Sequence, residues 1–135
     1  MEEVKIKLSA LWITLMFFYI YADILAYYTP GHIEAVISGE VVGLQINQVF
    51  LLTVAILMVI PSFMVFLSLV LEAKVNRWAN KIIGILFIGI LIITTLVPGE
   101  IWLFGIIYTI GEAVLLVLIV WYAWKWPTQV VVQEV

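Results

Sequence analysis

The sequence predicts an all-α integral membrane protein: four transmembrane helices in an antiparallel bundle, both termini cytoplasmic, and a short interfacial helix in the first outer loop. Three observations carry this expectation. Of 135 residues, 66% are hydrophobic and 11% charged, whereas a soluble domain has about 45–50% apolar and about 25% charged residues. Four windows, residues 8–28, 46–71, 81–97 and 101–124, are apolar enough to cross the ~30 Å hydrocarbon core, which takes about 20 helical residues. All six cations (Lys5, Lys7, Lys74, Arg77, Lys81 and Lys125) flank these windows at alternate ends, so one side of the bundle is basic. The positive-inside rule places that side, and with it both termini, in the cytoplasm of a cell that keeps this chain in its inner or plasma membrane.

The first span follows Met1-Glu2-Glu3-Val4-Lys5-Ile6-Lys7, a leader of mixed charge. Its apolar run is too long for a secretory signal and no small-residue cleavage site follows, so it is expected to remain. Backbone polar groups in lipid must be satisfied within the segment, and no window alternates with the two-residue period of a barrel strand. Helices are therefore expected throughout. Trp12, Trp78, Trp121, Trp124 and Trp126 fall toward the inner boundary, and Tyr27, Tyr28 and Trp102 toward the outer one, as interfacial aromatic belts do.

The first outer loop, residues 29–45, opens with Thr29-Pro30, read as a helix cap followed by proline at the first helical position. Ile33, Val36, Ile37 and Val41 recur at helical spacing, with Gly39 and Gly43 placed to end the segment. It is either a lid over the bundle mouth or a connector lying in the interface. In the second span Pro61 removes one backbone hydrogen bond, and Ser62 stands ready to satisfy the freed carbonyl. Glu72 to Trp78 is read as the cytoplasmic reversal. Pro98-Gly99 marks a tight outer turn that makes the third and fourth spans antiparallel neighbours, and Gly84 and Gly89 allow close packing of the third. Residues 1–127 are expected to form a single domain, with a disordered tail over 128–135.

Composition excludes several function classes. Six cations cannot build the clustered basic face of a nucleic-acid reader. The absence of cysteine excludes disulfides, thiol chemistry and Cys-ligated zinc. His32, Glu34 and Glu40 are metal-type residues in one loop, but a single histidine outside a helical pair is better read as solvated polarity. Ser62 has neither a neighbouring histidine nor a nucleophile elbow, so hydrolysis lacks its base. No catalytic residue, cofactor or metal is expected.

What stands out is a pair of carboxylic acids. Asp23 and Glu112 lie within apolar spans that offer no Lys, Arg or His. Ionisable groups at such depth face a bundle interior or a wet cavity, and mark functional sites by default. At about 1.5 Å per residue Asp23 sits roughly 7–8 Å, and Glu112 roughly 16 Å, below the outer boundary. Side chains lean toward the N-terminus of their helix, so the two carboxyls lean toward a common level. Tyr19 and Tyr27 share the face of Asp23, while Tyr108 and Thr109 flank Glu112. Gly105, Thr109 and Ala113 form a ladder of small residues for close helix contact. Gln45, Asn47 and Gln48 are placed to add polar lining at the mouth.

Two readings stay open. The acids either form an outward-facing polar cavity, bounded by the first, second and fourth spans, that binds or transports a small molecule or cation. Or they are protonated groups, hydrogen-bonded to Tyr or Thr, that fasten helices in a structural or accessory subunit. The bilayer is the expected partner, with a second copy or another membrane subunit compatible with either reading.

The opening Lys5-Ile6-Lys7-Leu8 with Leu11-Trp12, then Tyr19-Ile20-Tyr21-Ala22-Asp23, Ile60-Pro61-Ser62, Lys74-Val75-Asn76-Arg77-Trp78 and Trp121-Tyr122-Ala123-Trp124-Lys125-Trp126-Pro127, resemble an uncharacterised family of small prokaryotic four-span membrane proteins. The resemblance implies the four-span fold and brings no activity with it. A more distant similarity of layout links the chain to DoxX-like four-span proteins. It rests on architecture, from which function does not follow.

Overall fold

Residues 2–97 and 101–126 are described by the structure, a computed structural model. The expected tail over 128–135 and the turn at Pro98, Gly99 and Glu100 lie outside the described residues. In chain order the elements are helix α1 (Glu2–Ala26), the short helix α2 (His32–Ile37), strands β1 (Glu40–Val41) and β2 (Leu44–Gln45), and helices α3 (Gln48–Val70), α4 (Ala73–Thr95) and α5 (Leu103–Trp124). The four long helices are each long and apolar enough to cross a membrane, which makes the chain a multi-pass membrane protein.

Cross-helix contacts fix the helix directions. Ser9 and Ser62 of α1 and α3 meet Val65 and Met16, Phe18 of α1 lies on Gly111 of α5, and Lys7 lies over the Tyr122 ring. In each case one number rises as the other falls, so α1 is antiparallel to α3 and α5. Gly84 faces Val120 and Lys81 reaches Trp124, which sets α4 antiparallel to α5. The closely packed neighbours are α1 with α3, α1 with α5, and α4 with α5, whereas α3 and α4 meet far less. Every Lys and Arg consequently lies at one end of the bundle.

The core gathers at that basic end. Leu8, Trp12 and Leu15 of α1, Met64 of α3, Phe87 of α4, and Leu116 and Ile119 of α5 are buried against one another. Trp12 meets Phe87 edge-on at 6.3 Å. Trp12, expected in the inner belt, is therefore an interior residue at 0% exposure, and Trp126 is buried as well. Hydrophobicity alone cannot tell the two roles apart, because an indole satisfies its N–H either at the lipid headgroups or on a buried partner.

Here the partner is Asn80. Trp12 Nε1 donates to Asn80 Oδ1 at 2.7 Å, and the Ser68 hydroxyl donates to the same oxygen at 3.4 Å. Asn80 Nδ2 donates to the Asn76 side-chain oxygen at 2.7 Å and to the Asn76 carbonyl at 3.0 Å. Asn76 Nδ2 donates to the carbonyls of Ser68 at 2.8 Å and Leu71 at 3.3 Å. The carbonyls at a helix C-terminus lack intrahelical donors, so Asn76 closes the end of α3 from the next helix. Ser9 adds a hydrogen bond to the Val65 carbonyl at 2.8 Å. Asn76, Asn80 and Ser68 are fully buried. A network with all its members satisfied rigidifies a core where a partly satisfied one would weaken it.

Several expected details differ. The third span starts at Ala73 instead of residue 81, and the reversal shrinks to Leu71-Glu72. Lys74, Arg77 and Lys81 are helical because long basic side chains carry their charge outward from an apolar stem; Lys81 lies over the Trp78 ring at 4.5 Å and the Trp124 ring at 4.4 Å. Ser68, of the second span, belongs to the network. Ser62 donates to the Met58 carbonyl at 2.7 Å instead of to Leu57, the carbonyl that Pro61 frees, because a serine reaches one turn back from its own position. Close packing in α4 involves Gly84, where a Cβ would stand 2.7 Å from a Val120 methyl; Gly89 faces open space.

Candidate functional site

At the end of the bundle opposite the cations, the chain between α1 and α3 folds back over the helix ends. Thr29 does not cap α2. Its hydroxyl donates to the Ala26 carbonyl at 2.7 Å, finishing α1, and the cap position of α2 is Gly31 at φ 85°. The left-handed backbone there favours glycine. Helix α2 stops at Ile37, with Gly39 at φ 95° just beyond it. Val41, expected on the helix, lies instead in a two-residue hairpin that pairs Glu40 with Gln45 and Val41 with Leu44. Its turn has positive φ at both Val42 (49°) and Gly43 (77°), the signature of a type I′ turn. Helical spacing placed Val41 on α2, but Gly39 had already ended the helix and short hairpins have no long-range signature.

This α2–hairpin segment, the last turn of α1 and the first two turns of α3 line a half-open cavity of about 430 Å3, within the usual range of about 300–1,000 Å3 for ligand pockets. Asp23, Tyr27 and His32 supply its polar groups, and Val36, Ile46 and Phe50 are among its apolar ones. The Tyr27 and His32 rings meet edge-on, centroids 5.2 Å apart, and His32 interacts electrostatically with Asp23. Asp23 itself makes no hydrogen bond or ion pair among the described residues. Its carboxylate stands exposed on the cavity wall.

Glu112 occupies a neighbouring position and does not line this cavity. Phe18 rests on Gly111, where a Cβ would overlap its ring, and meets Tyr108 edge-on at 5.2 Å. Asp23 lies five residues beyond Phe18 and Glu112 one residue beyond Gly111 in the opposite sense, so their backbones differ in level by about 9 Å. The acids nonetheless interact electrostatically, and Glu112 also interacts with Tyr19. Tyr19 turns toward α4, its ring 6.5 Å from Phe87. Glu112 and Tyr19 are half-buried between α1 and the helices behind it.

The remaining candidate residues are dispersed. Tyr108 packs on Phe18, and Thr109 lines a separate crevice between α4 and α5 with Thr95 and Trp102. The Asn47 side chain accepts the Phe50 N–H at 2.9 Å and caps α3. Gln48 is the exposed first residue of that helix, and Gln45 pairs in β2. The structure thus brings Asp23 and Tyr27 together, sets Glu112 and Tyr108 at the α1–α5 contact, turns Tyr19 toward α4, and leaves Thr109, Asn47 and Gln48 elsewhere. The small residue that admits the close α1–α5 approach is Gly111, not the Gly105 of the expected ladder, which faces open space.

Sequence reasoning missed His32 as a wall residue and the Asn76–Asn80 pair entirely. Two asparagines one helical turn apart beside an apolar run were the available signal for the second. For the first there was none, because the fold of a loop decides which face of the bundle its residues meet.

Residues 1–132 match the model of a family described as a family of unknown function (DUF6326). No curated protein and no solved structure matches the chain.

Proposed function

We propose that this chain, which belongs to the family of unknown function DUF6326, is a binding or transport module that takes a small ligand or cation from the outer side of the cell membrane into the cavity beside Asp23. Both termini are cytoplasmic in this reading. Its support is the charge bias: all six Lys and Arg stand at one end of the bundle and the cavity at the other. The α2–hairpin segment then covers the outer mouth. A layout like that of DoxX-type proteins agrees with the architecture and adds no substrate.

One observation carries the proposal: an intramembrane carboxylate on the wall of a ligand-sized cavity, with no hydrogen bond or ion pair among the described residues. A group left in apolar surroundings without a partner is costly unless a ligand or water supplies one. Glu112 lies one helix contact away and acts as the protonatable neighbour through its electrostatic interaction with Asp23.

The competing account, a structural or accessory subunit with protonated acids as helix fasteners, draws on the half-buried position of Glu112 between helices. Fasteners work through hydrogen bonds to Tyr or Thr, and neither acid makes one among the described residues. Asp23→Asn and Glu112→Gln, each reconstituted in liposomes, separate the two. Loss of saturable ligand uptake in Asp23→Asn, with an unchanged melting temperature, supports the binding module. Parental uptake in both variants, together with lower melting temperatures, establishes the fasteners.

A further inference from the structure

The geometry points to a lipophilic organic cation, an amine or quaternary ammonium on an apolar body, as the occupant of the Asp23 cavity. This rests on the proposed binding function and specifies its ligand class.

Charge is the first argument. The half of the molecule that bears the cavity holds Asp23, Glu34, Glu40 and Glu112 and no Lys or Arg, since all six of those side chains lie at the far end. The summed field of such an arrangement concentrates cations at the mouth and repels anions. Within the cavity the carboxylate oxygens of Asp23 accept no hydrogen bond among the described residues. An anionic ligand would meet that carboxylate with only His32 to offset it.

The wall composition decides between kinds of cation. A bare metal ion gives up its water only for several oxygen ligands, about six to eight for calcium. Among the described residues no three of His, Asp and Glu gather in one place, and the cavity offers one carboxylate and one phenol. An organic cation makes no such demand. Its charged head is matched by Asp23 and by the Tyr27 and Phe50 rings, which attract cations through their quadrupoles. Its apolar body is removed from water against Val36, Ile46 and Val54. A volume of about 430 Å3 admits a head group with a body of one aromatic ring or a short alkyl chain.

The test uses the full chain in lipid nanodiscs, with empty nanodiscs subtracting partition into lipid. The probe is radiolabelled phenylbutyl-trimethylammonium, whose charge does not titrate, followed by equilibrium dialysis. Saturable one-to-one binding is expected, weakened at least about tenfold in Asp23→Asn, as loss of a counter-charge of about 1.4 kcal/mol implies. Its uncharged tert-butyl isostere should bind no better to the parent than the cation does to Asp23→Asn. Millimolar sodium or calcium should fail to displace the probe. Equal binding of the uncharged isostere, indifferent to Asp23→Asn, would overturn the cation class while leaving the cavity a ligand site. Displacement by micromolar calcium would overturn it in favour of a metal. Absence of saturable binding for every probe, in a chain that melts cooperatively, would remove the binding function itself.

Discussion

The two ends of this bundle are built on opposite principles. At the basic end, side chains of α1, α3, α4 and α5 interlock, and Trp12, Ser68, Asn76 and Asn80 satisfy one another's buried polar groups. At the other end a short helix and a hairpin fold over the helix ends, and Asp23 stands on a cavity wall with no hydrogen bond or ion pair among the described residues. The polar groups at the basic end are buried and answer one another, whereas Asp23 at the other end is an exposed carboxylate on a cavity wall. In lipid there is no hydrophobic force between helices, so association depends on close packing and interhelical hydrogen bonds. The basic end has both and holds the bundle together, which frees the other end to hold a cavity.

The sharpest way to break this comparison is Asn80→Leu. It strips the acceptor from Trp12 and Ser68 and the donors from Asn76. With about 0.6–1.7 kcal/mol for each intramembrane hydrogen bond and about 1–3 kcal/mol for a group left unsatisfied, a loss of about 2–4 kcal/mol is expected. Thermal denaturation in detergent reads it directly. The corresponding substitution at the other end, Asp23→Asn, should move the midpoint very little, and equal losses in the two variants would erase the distinction.

Gly111→Ala probes the seam between the two regions. The new methyl displaces the Phe18 ring, which gives up its edge contact with Tyr108, an arrangement worth about 0.5–1.5 kcal/mol. A melting shift of that size is expected, smaller than for Asn80→Leu. No shift would mean that α1 and α5 do not approach as closely as their contact at Phe18 requires.

The smallest effect belongs to the hairpin. Val42 has φ 49°, a left-handed conformation that β-branched residues avoid at a cost of about 1–2 kcal/mol, and a type I′ turn prefers Asn followed by Gly. Val42→Asn should therefore slow amide exchange at Ile46, whose N–H donates to the Gly39 carbonyl at 2.8 Å, while leaving the global melting midpoint within experimental error. Faster exchange at Ile46 would show that the turn is held by something other than its own backbone preference.

The spans were legible because a helix that crosses lipid must be apolar along its whole length, and continuous stretches such as residues 46–71 and 101–124 have no other use. The start of α4 was not, because hydropathy reports the solvent and not the conformation. Lys74, Asn76 and Arg77 fell in the expected reversal and Asn80 just ahead of the expected span, yet all four are helical, two turned outward as charges and two inward as a hydrogen-bonded pair. Asp23 and Glu112 were visible as anomalies of composition, and their electrostatic interaction follows from helix direction and side-chain lean. Which of them lines a cavity was invisible, since that depends on how residues 29–47 fold back over the helix ends.

By itself, the sequence determined the solvent of this protein, the number of its spans, the end that carries the cations and the two acids that have no cation in their own apolar span. These follow from one-dimensional properties, apolar length and charge position, that hold however the helices pack. Tertiary structure alone decided that Trp12 is a core residue, that Asn76 and Asn80 join three helices, and that Asp23 shares a pocket with Tyr27 and His32 while Glu112 does not. The physical reason is that hydrogen bonds and cavities belong to pairs of elements, and which pairs meet is fixed only when the helices choose their neighbours.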